Sequence, residues 1–243
     1  GAEEPLPVGL PAGIAAGGLT VQKSAPLDLE VPPGGVLIAT DAPFNRALLA
    51  AITGRLTPAA GRLTVLGDVL PFEAARLQRR SVLVHCVETD ETSITIGEYL
   101  VSRVRLTARF TQRRPQLRLT AGYLRRFESL ALTSDSAERI DETTGLRELG
   151  MLERWCIDAA LALASGRSLI AIDMVGLGHA RVPELMNAVS SLAAPDVTLA
   201  FATDLPALRL ESSLAGRAVV CVTAHVADTE RTVVDSTEQE ALV

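Results

Sequence analysis

Short apolar runs alternate along the chain with longer stretches in which apolar residues recur at helical spacing. The apolar runs are rich in β-branched residues and stop at polar residues or glycine, which is typical of buried strands. Four such runs are predicted strands: 36–40, 81–84, 168–173 and 197–202. Two further strands are predicted near the end of the chain, at 217–223 and 231–234. Strands and helices in alternation predict an α/β protein.

A different pattern near the start of the chain predicts an antiparallel region. Segments 19–22 and 27–31 are predicted to pair as a ribbon, and 62–66 alternates like an exposed strand. The first 18 residues are rich in Pro, Gly and Ala without a periodic pattern. They predict a flexible arm or an extended edge segment.

Helical periodicity is clearest in the middle third. Residues 100, 101, 104, 106 and 110 are apolar at approximately helical spacing, and five arginines follow along a second predicted helix. These arginines are Arg113, Arg114, Arg118, Arg125 and Arg126. Two interpretations remain open for them: a solvated face with arginine stems over apolar neighbours, or a site for anionic groups. Shorter helices are predicted at 47–54 and 72–78, and another within 146–164.

The turn between strand 36–40 and helix 47–54 is the first candidate site, because many α/β proteins hold phosphate at such a turn. A Walker A loop, G-x-x-x-x-G-K-[ST], would place glycines at 39 and 44, Lys at 45 and Ser or Thr at 46. Those positions hold Ala39, Phe44, Asn45 and Arg46. Phe44 puts a ring where phosphate would lie, Asn45 cannot replace the lysine, and Arg46 puts a cation where a hydroxyl would hold Mg²⁺. Shifting the alignment by one residue gives no better loop.

The surroundings of this turn resemble the ATPase domains of ABC transporters. LDLEVPPGGVLIA resembles the segment that leads into their P-loop, and LLAAITGRLTPAAGRLTVLGDVL resembles their continuation. The resemblance covers roughly residues 19–225. It implies a P-loop NTPase-like α/β core with a mixed sheet, an N-terminal antiparallel β region and an inserted helical lobe. The implied divisions are an arm at 1–18, core at 19–86 and 154–235, insertion at 87–153, and an acidic tail at 236–243.

The same resemblance implies that most groups of a working ATPase site are replaced. Cys86 stands at the position of the Q-loop Gln, and Thr203 at that of the switch His. Asp173 keeps the acid of Walker B, but Met174 replaces the Glu that would polarise the attacking water. Residues 149–153 match the signature without its serine and glycines. We therefore expect no catalytic residues, no metal site, and weak or absent binding of ATP and Mg²⁺.

Composition narrows the functions and cellular locations that the chain can have. The chain has 243 residues, a net charge of −6 and only 3% aromatic residues. The acidic balance argues against general nucleic-acid binding. The three cysteines, Cys86, Cys156 and Cys221, lie far apart in apolar runs and predict buried thiols in a reducing compartment. No apolar run approaches 18 residues, so we expect a cytoplasmic protein, with peripheral contact at the inner face of the cell membrane left open.

The function implied by the resemblance is that of a pseudo-ATPase, a regulatory or scaffolding partner in a transporter or permease-type complex. Its partner would be a transmembrane permease-like subunit, an intact ATPase subunit or a second copy of itself. A groove between core and insertion, near Glu88, Ile94, Ile96 and Tyr99, would receive a partner helix. In the family this lobe contacts the transmembrane partner, so a basic face on it could lie near anionic headgroups. Two alternatives stay open: an atypical ATPase or nucleotide-binding subunit using Arg46 and Asp173, and an α/β module that binds a small anion at 41–46.

Overall fold

The computed structural model describes residues 12–40, 43–85, 93–130, 141–177, 181–206, 214 and 216–223. These residues form an α/β fold with two sheets and an added pair of helices, which confirms the predicted fold class. Among them, no helix combines the length and the apolar character needed to cross a bilayer.

The first sheet is antiparallel and has four strands. In chain order they are β1 (Ile14–Thr20), β2 (Leu27–Val31), β4 (Ala60–Val65) and β5 (Asp68–Leu70). Their order across the sheet is β2-β1-β4-β5. Strand β1 therefore lies inside the sheet, paired on both sides.

The second sheet is parallel and has five strands. They are β3 (Val36–Ala39), β6 (Ser81–Val84), β7 (Leu169–Asp173), β8 (Thr198–Ala202) and β9 (Val219–Val222). Their order is β6-β7-β8-β3-β9. Every residue of β3, β7 and β8 is buried, as expected for parallel strands that are covered on both faces.

Six α-helices accompany the sheets within the described part of the chain. They are α1 (Asn45–Ile52), α2 (Ala74–Arg80), α3 (Ile96–Thr107), α4 (Arg113–Ser129), α5 (Met151–Ala164) and α6 (Val182–Leu192). Helices α3 and α4 pack against each other, and α4 packs on α5. We refer to α3 and α4 as the helical lobe.

Alternation along the parallel strands divides the core into two halves. In β7, Ile170 and Ile172 pack in one cluster with residues of α5 and α6, whereas Leu169 and Ala171 pack in the other with residues of α1. Successive side chains of a strand point to opposite faces, so one apolar run serves both halves. The first half also contains Trp155 and extends into the helical lobe.

One prediction about the N-terminal region is corrected by the structure. Strand β1 begins at Ile14, so residues 14–18 belong to an internal strand and not to an arm or a sheet edge. The pattern was hidden because the pairing of β1 shifts register around Gly18, which has φ +59°. Glycine adopts this backbone conformation without steric cost, and the irregularity removes the alternation that predicts a strand.

The other helices and strands depart little from the predicted bounds. Helix α1 begins at Asn45 and α2 at Ala74, each two residues from the predicted start. Strand β5 was not predicted, since three residues give too short a pattern. The predicted strand at 231–234, the acidic tail, Asp41, Cys86 and Glu88 lie outside the described residues.

Two of the three cysteines can be located. Cys156 is buried, as predicted, and burial raises the pKa of its thiol to about 12. Cys221 is only partly buried.

Candidate functional site

The candidate site lies at the carboxyl edge of the parallel sheet. Strands β7, β8 and β3 are neighbours, and Asp173 pairs with Ala202, which pairs with Ala39. The segments that follow these strands therefore meet at one edge. Ligands of open α/β sheets commonly bind at this edge.

Asn45, which the sequence resemblance aligns with the P-loop lysine, packs inside the protein. It is buried, and its side-chain amide donates a hydrogen bond to the Thr203 carbonyl at 3.1 Å. Its Oδ1 accepts from the backbone N–H of Arg46 at 2.6 Å. Both polar atoms of this side chain are thus used internally, between helix α1 and the residue after β8.

Arg46 reaches across the sheet edge to the end of β7. Its Nε lies 2.7 Å from Oδ2 of Asp173, and its Nη2 donates to the carbonyl of Val175 at 3.2 Å. The Asp173 side chain is only 6% exposed, whereas that of Arg46 is 56% exposed. The guanidinium therefore closes over a nearly buried carboxylate from the solvent side.

The second oxygen of Asp173 also has a partner. Oδ1 accepts a hydrogen bond from the backbone N–H of Val175 at 3.0 Å. Nδ1 of His85, at the end of β6, lies 3.6 Å from Oδ2. Sequence reasoning missed His85, although its position at the end of a predicted buried strand was the signal that could have identified it.

Three further predicted positions that the structure describes, Met174, Thr203 and Phe44, add no reactive group to the site. Met174 is fully buried in the core half that contains α5 and α6. Thr203 is also buried, and its hydroxyl accepts from the backbone N–H of Leu205 at 3.1 Å. Phe44 packs on the other core half and gives helix α1 no side-chain cap.

At its described positions, this site differs from a P-loop that holds ATP and Mg²⁺. A P-loop presents free backbone N–H groups, a lysine and a hydroxyl, and its metal is held near the Walker B acid. In this chain Pro43 has no N–H, the Arg46 N–H is bonded to Asn45, and Asp173 is paired with a guanidinium. A protonated arginine cannot coordinate a metal ion, because its guanidinium nitrogens act only as hydrogen-bond donors and offer no free lone pair.

Three of the four residues proposed for a partner groove, Ile94, Ile96 and Tyr99, are described by the structure, and they pack in the core half that extends into the helical lobe. Ile96 and Tyr99 are buried, and Ile94 packs against the same cluster. The Tyr99 hydroxyl donates to Oδ1 of Asp158 on α5 at 2.7 Å. Burial, and then the Asp158 charge, raises the pKa of Tyr99; burial also raises the pKa of Asp158, partly offset by the Tyr99 hydrogen bond.

The fold is similar to that of solved ATP-binding domains of ABC transporters. A protein from Pyrococcus furiosus described as an ABC transporter ATP-binding protein matches with a TM-score of 0.63 and 13% identity, over 88% of this chain and 96% of that one. The ATP-binding cassette MJ0796, a dimer in a post-hydrolysis state with ADP and Pi, gives a TM-score of 0.61 at 12% identity, with coverage of 88% and 96%.

A third structure is part of a larger assembly. It is cbiO1 from Clostridium perfringens, a component of the ABC transporter complex cbiONQ, with a TM-score of 0.59 at 14% identity. The match covers 80% of this chain and 79% of that one. No protein-family model and no curated protein matches the sequence. The comparisons thus show the fold, while the function has to be argued from the site.

Proposed function

We propose that the chain is a catalytically inactive ABC-ATPase-like subunit, a pseudo-ATPase that regulates or scaffolds a membrane transporter or permease-type complex. The observation that carries the proposal is the ion pair between Arg46 and Asp173. The one acid that keeps its Walker B position is already neutralised by a cation of the same chain.

The energetics favour loss of activity over an altered mechanism. Phosphoryl transfer depends on positioned charges and hydrogen-bond donors, and removing one such group commonly costs about 3 kcal/mol or more. In this site Asn45 replaces the lysine, Arg46 the hydroxyl and Met174 the glutamate. Together these losses raise the activation free energy by more than a single arginine can lower it. The buried Met174 also offers no atom that could activate water.

The protein partners are proposed from the fold. The chain shares its fold with cbiO1, a component of a transporter complex, and with a dimeric ATP-binding cassette. A permease-like subunit, an intact ATPase subunit or a second copy would therefore be the partner, with contact near the partly buried Ile94, since Ile96 and Tyr99 are buried. Such a subunit would be cytoplasmic and peripheral to the membrane through its partner.

A phosphate-release assay with and without Mg²⁺ tests the enzymatic part of the proposal. We expect the purified chain and its Asp173→Asn variant to release phosphate at the same background rate, because Asp173 holds no metal. The matched variant separates contaminating ATPases from intrinsic turnover. A rate in the wild type that exceeds the variant's by tenfold or more (about 1.4 kcal/mol in barrier) would contradict the proposal and favour an atypical active ATPase.

The two remaining alternatives give different results in a melting experiment. A rise in melting temperature with Mg-ATP, without phosphate release, would favour a nucleotide-binding subunit. A rise with phosphate or sulfate and none with ATP would favour a small-anion module at the 41–46 turn. The pseudo-ATPase proposal predicts no shift with any of these ligands, since a ligand stabilises only the state that binds it.

A further inference from the structure

The end of the helical lobe exposes two large apolar side chains. We call residues 105–114 the lobe tip; they comprise the last turn of α3, a short 3-10 turn (Phe110–Gln112) and the first two residues of α4. Leu106 and Phe110 are 80% and 81% exposed there. Apolar side chains that are exposed close together along the chain, and not scattered singly, can mark an interaction surface.

The same tip carries a concentration of positive charge. Four arginines belong to it: Arg105, Arg109, Arg113 and Arg114. Residues 99–127 hold eight arginines and no acidic residue, whereas the whole chain has a net charge of −6. Behind the tip, Arg118 and Arg125 follow Arg114 at helical spacing on one exposed face of α4. The basic surface therefore continues from the tip along this helix.

In the described part of the chain, no acidic side chain pairs with three of these four arginines. Among the described residues, Arg105, Arg109 and Arg114 take part in no ion pair. Arg113 lies over the Phe110 ring, with its guanidinium carbon 5.4 Å from the ring centroid. Helix α4 begins with two arginines and has no acidic residue in its first turn. Its positive dipole end adds to the arginine charge, so an anion placed near the tip would be stabilised.

We propose that the lobe tip binds the anionic surface of a lipid bilayer. The arginines would contact the lipid phosphates, while Leu106 and Phe110 enter the boundary between headgroups and acyl chains. A bilayer presents an anionic layer above an apolar one within about 5–10 Å. That arrangement complements a tip on which apolar side chains protrude between arginines.

A bilayer fits this surface better than other polyanions do. A nucleic acid offers phosphates, but it has no apolar layer for Leu106, and its binding usually spreads over a broad basic face. At physiological salt, charge interactions fade within about 8 Å. On α3 and α4 the nearest acidic residues, Glu98 and Glu128, are seven and 14 residues from the tip, which is about 10 and 21 Å along the helices. These two charges therefore stay outside that range when only the tip approaches the membrane.

Sedimentation with vesicles tests the proposal on the full chain. We expect binding to phosphatidylcholine vesicles that contain about one third phosphatidylglycerol, with each arginine at the surface contributing roughly fivefold in partitioning. Binding should fall as salt rises and should be at background with phosphatidylcholine alone. Equal binding to both vesicle types, or binding to neither, would overturn the proposal. Binding to single-stranded RNA without binding to vesicles would also overturn it.

Two matched double variants localise the contact. Reversing two tip charges (R105E/R109E) should reduce binding to anionic vesicles about 25-fold or more, at roughly fivefold per arginine. Reversing two exposed arginines of the core (R62E/R79E) should leave most of the binding. An equal loss in both variants would mean that binding follows overall charge, which would contradict a specific role for the tip.

A fluorescent probe tests insertion of the apolar side chains. In F110W the new indole is exposed in water, whereas the native Trp155 is buried and gives a constant background. We expect a blue shift of F110W emission on adding anionic vesicles. The control is F72W, because Phe72 is 89% exposed on the core. A shift in F72W as large as that in F110W, or no shift in F110W, would rule out insertion of the tip.

Discussion

Replacing Arg217 by methionine is expected to lower the free energy of unfolding by about 3–4 kcal/mol. The Arg217 side chain donates hydrogen bonds to five backbone carbonyls, with nitrogen-to-oxygen distances of 2.8–3.0 Å. These carbonyls belong to Gly34, Ser190, Ala193, Ala194 and Val197. One side chain thus joins the loop before β3 to the end of α6 and the turn that leads into β8.

The expected cost is smaller than five hydrogen bonds would suggest. A hydrogen bond to a charged group contributes about 1.5–3 kcal/mol, but Arg217 is only partly buried and water can replace some of its contacts. Methionine keeps most of the apolar stem and removes every donor. Lysine has a single ammonium group that cannot reach five carbonyls, so R217K should recover less than half of the loss.

Urea denaturation measures these differences. The matched control is R62M, because Arg62 is exposed and has no ion pair among the described residues. We expect R62M to stay within about 0.5 kcal/mol of the wild type. A cost for R217M no larger than that of R62M would show that the carbonyl network does not hold these segments together.

The second large effect is expected at the candidate site, where R46A should destabilise the protein by about 2 kcal/mol. Removal of Arg46 leaves Asp173 nearly buried without its closest cation. The reverse change is milder, because D173N leaves an exposed arginine that water can solvate. D173N should therefore cost less than about 1 kcal/mol, since exposed charges gain little from pairing.

A double-mutant cycle separates the interaction energy of the ion pair from the individual contributions of the two side chains to stability. We expect the R46A/D173N variant to lose less stability than the two single variants together, with a coupling of about 1–2 kcal/mol. His85 also lies 3.6 Å from Asp173, so the wild type and all three variants are measured at one fixed pH. If the stability losses of the two single variants add up to that of the double variant, the two side chains are not coupled. That result would contradict the ion pair that carries the proposed function.

The apolar runs predicted most of the parallel sheet because buried parallel strands carry an unmistakable local pattern. Strands 81–84 and 36–40 were placed within a residue of their observed bounds. Strand β1 was missed where Gly17 and Gly18 interrupt its pairing. Local patterns fail where the backbone conformation, and not side-chain burial, decides the structure.

The candidate site was only partly predictable for a different reason. Arg46 was recognised as a misplaced cation, and Asp173 as a surviving acid, but their contact depends on the arrangement of strands distant in sequence. The same holds for His85 beside Asp173 and for the carbonyls around Arg217. Side-chain partners across a sheet edge are set by tertiary packing, which no local spacing in the sequence encodes.

The most direct test of the central claim is calorimetric titration of the wild-type chain with ATP in the presence of Mg²⁺. The Arg46–Asp173 pair and the hydrogen-bonded Asn45 side chain predict no measurable binding up to about 1 mM ATP. A dissociation constant of that size corresponds to a binding free energy of roughly −4 kcal/mol. An intact ABC ATPase domain titrated in the same buffer serves as the positive control. A dissociation constant in the micromolar range or below would contradict the account, because the loop would then hold phosphate despite its arginine.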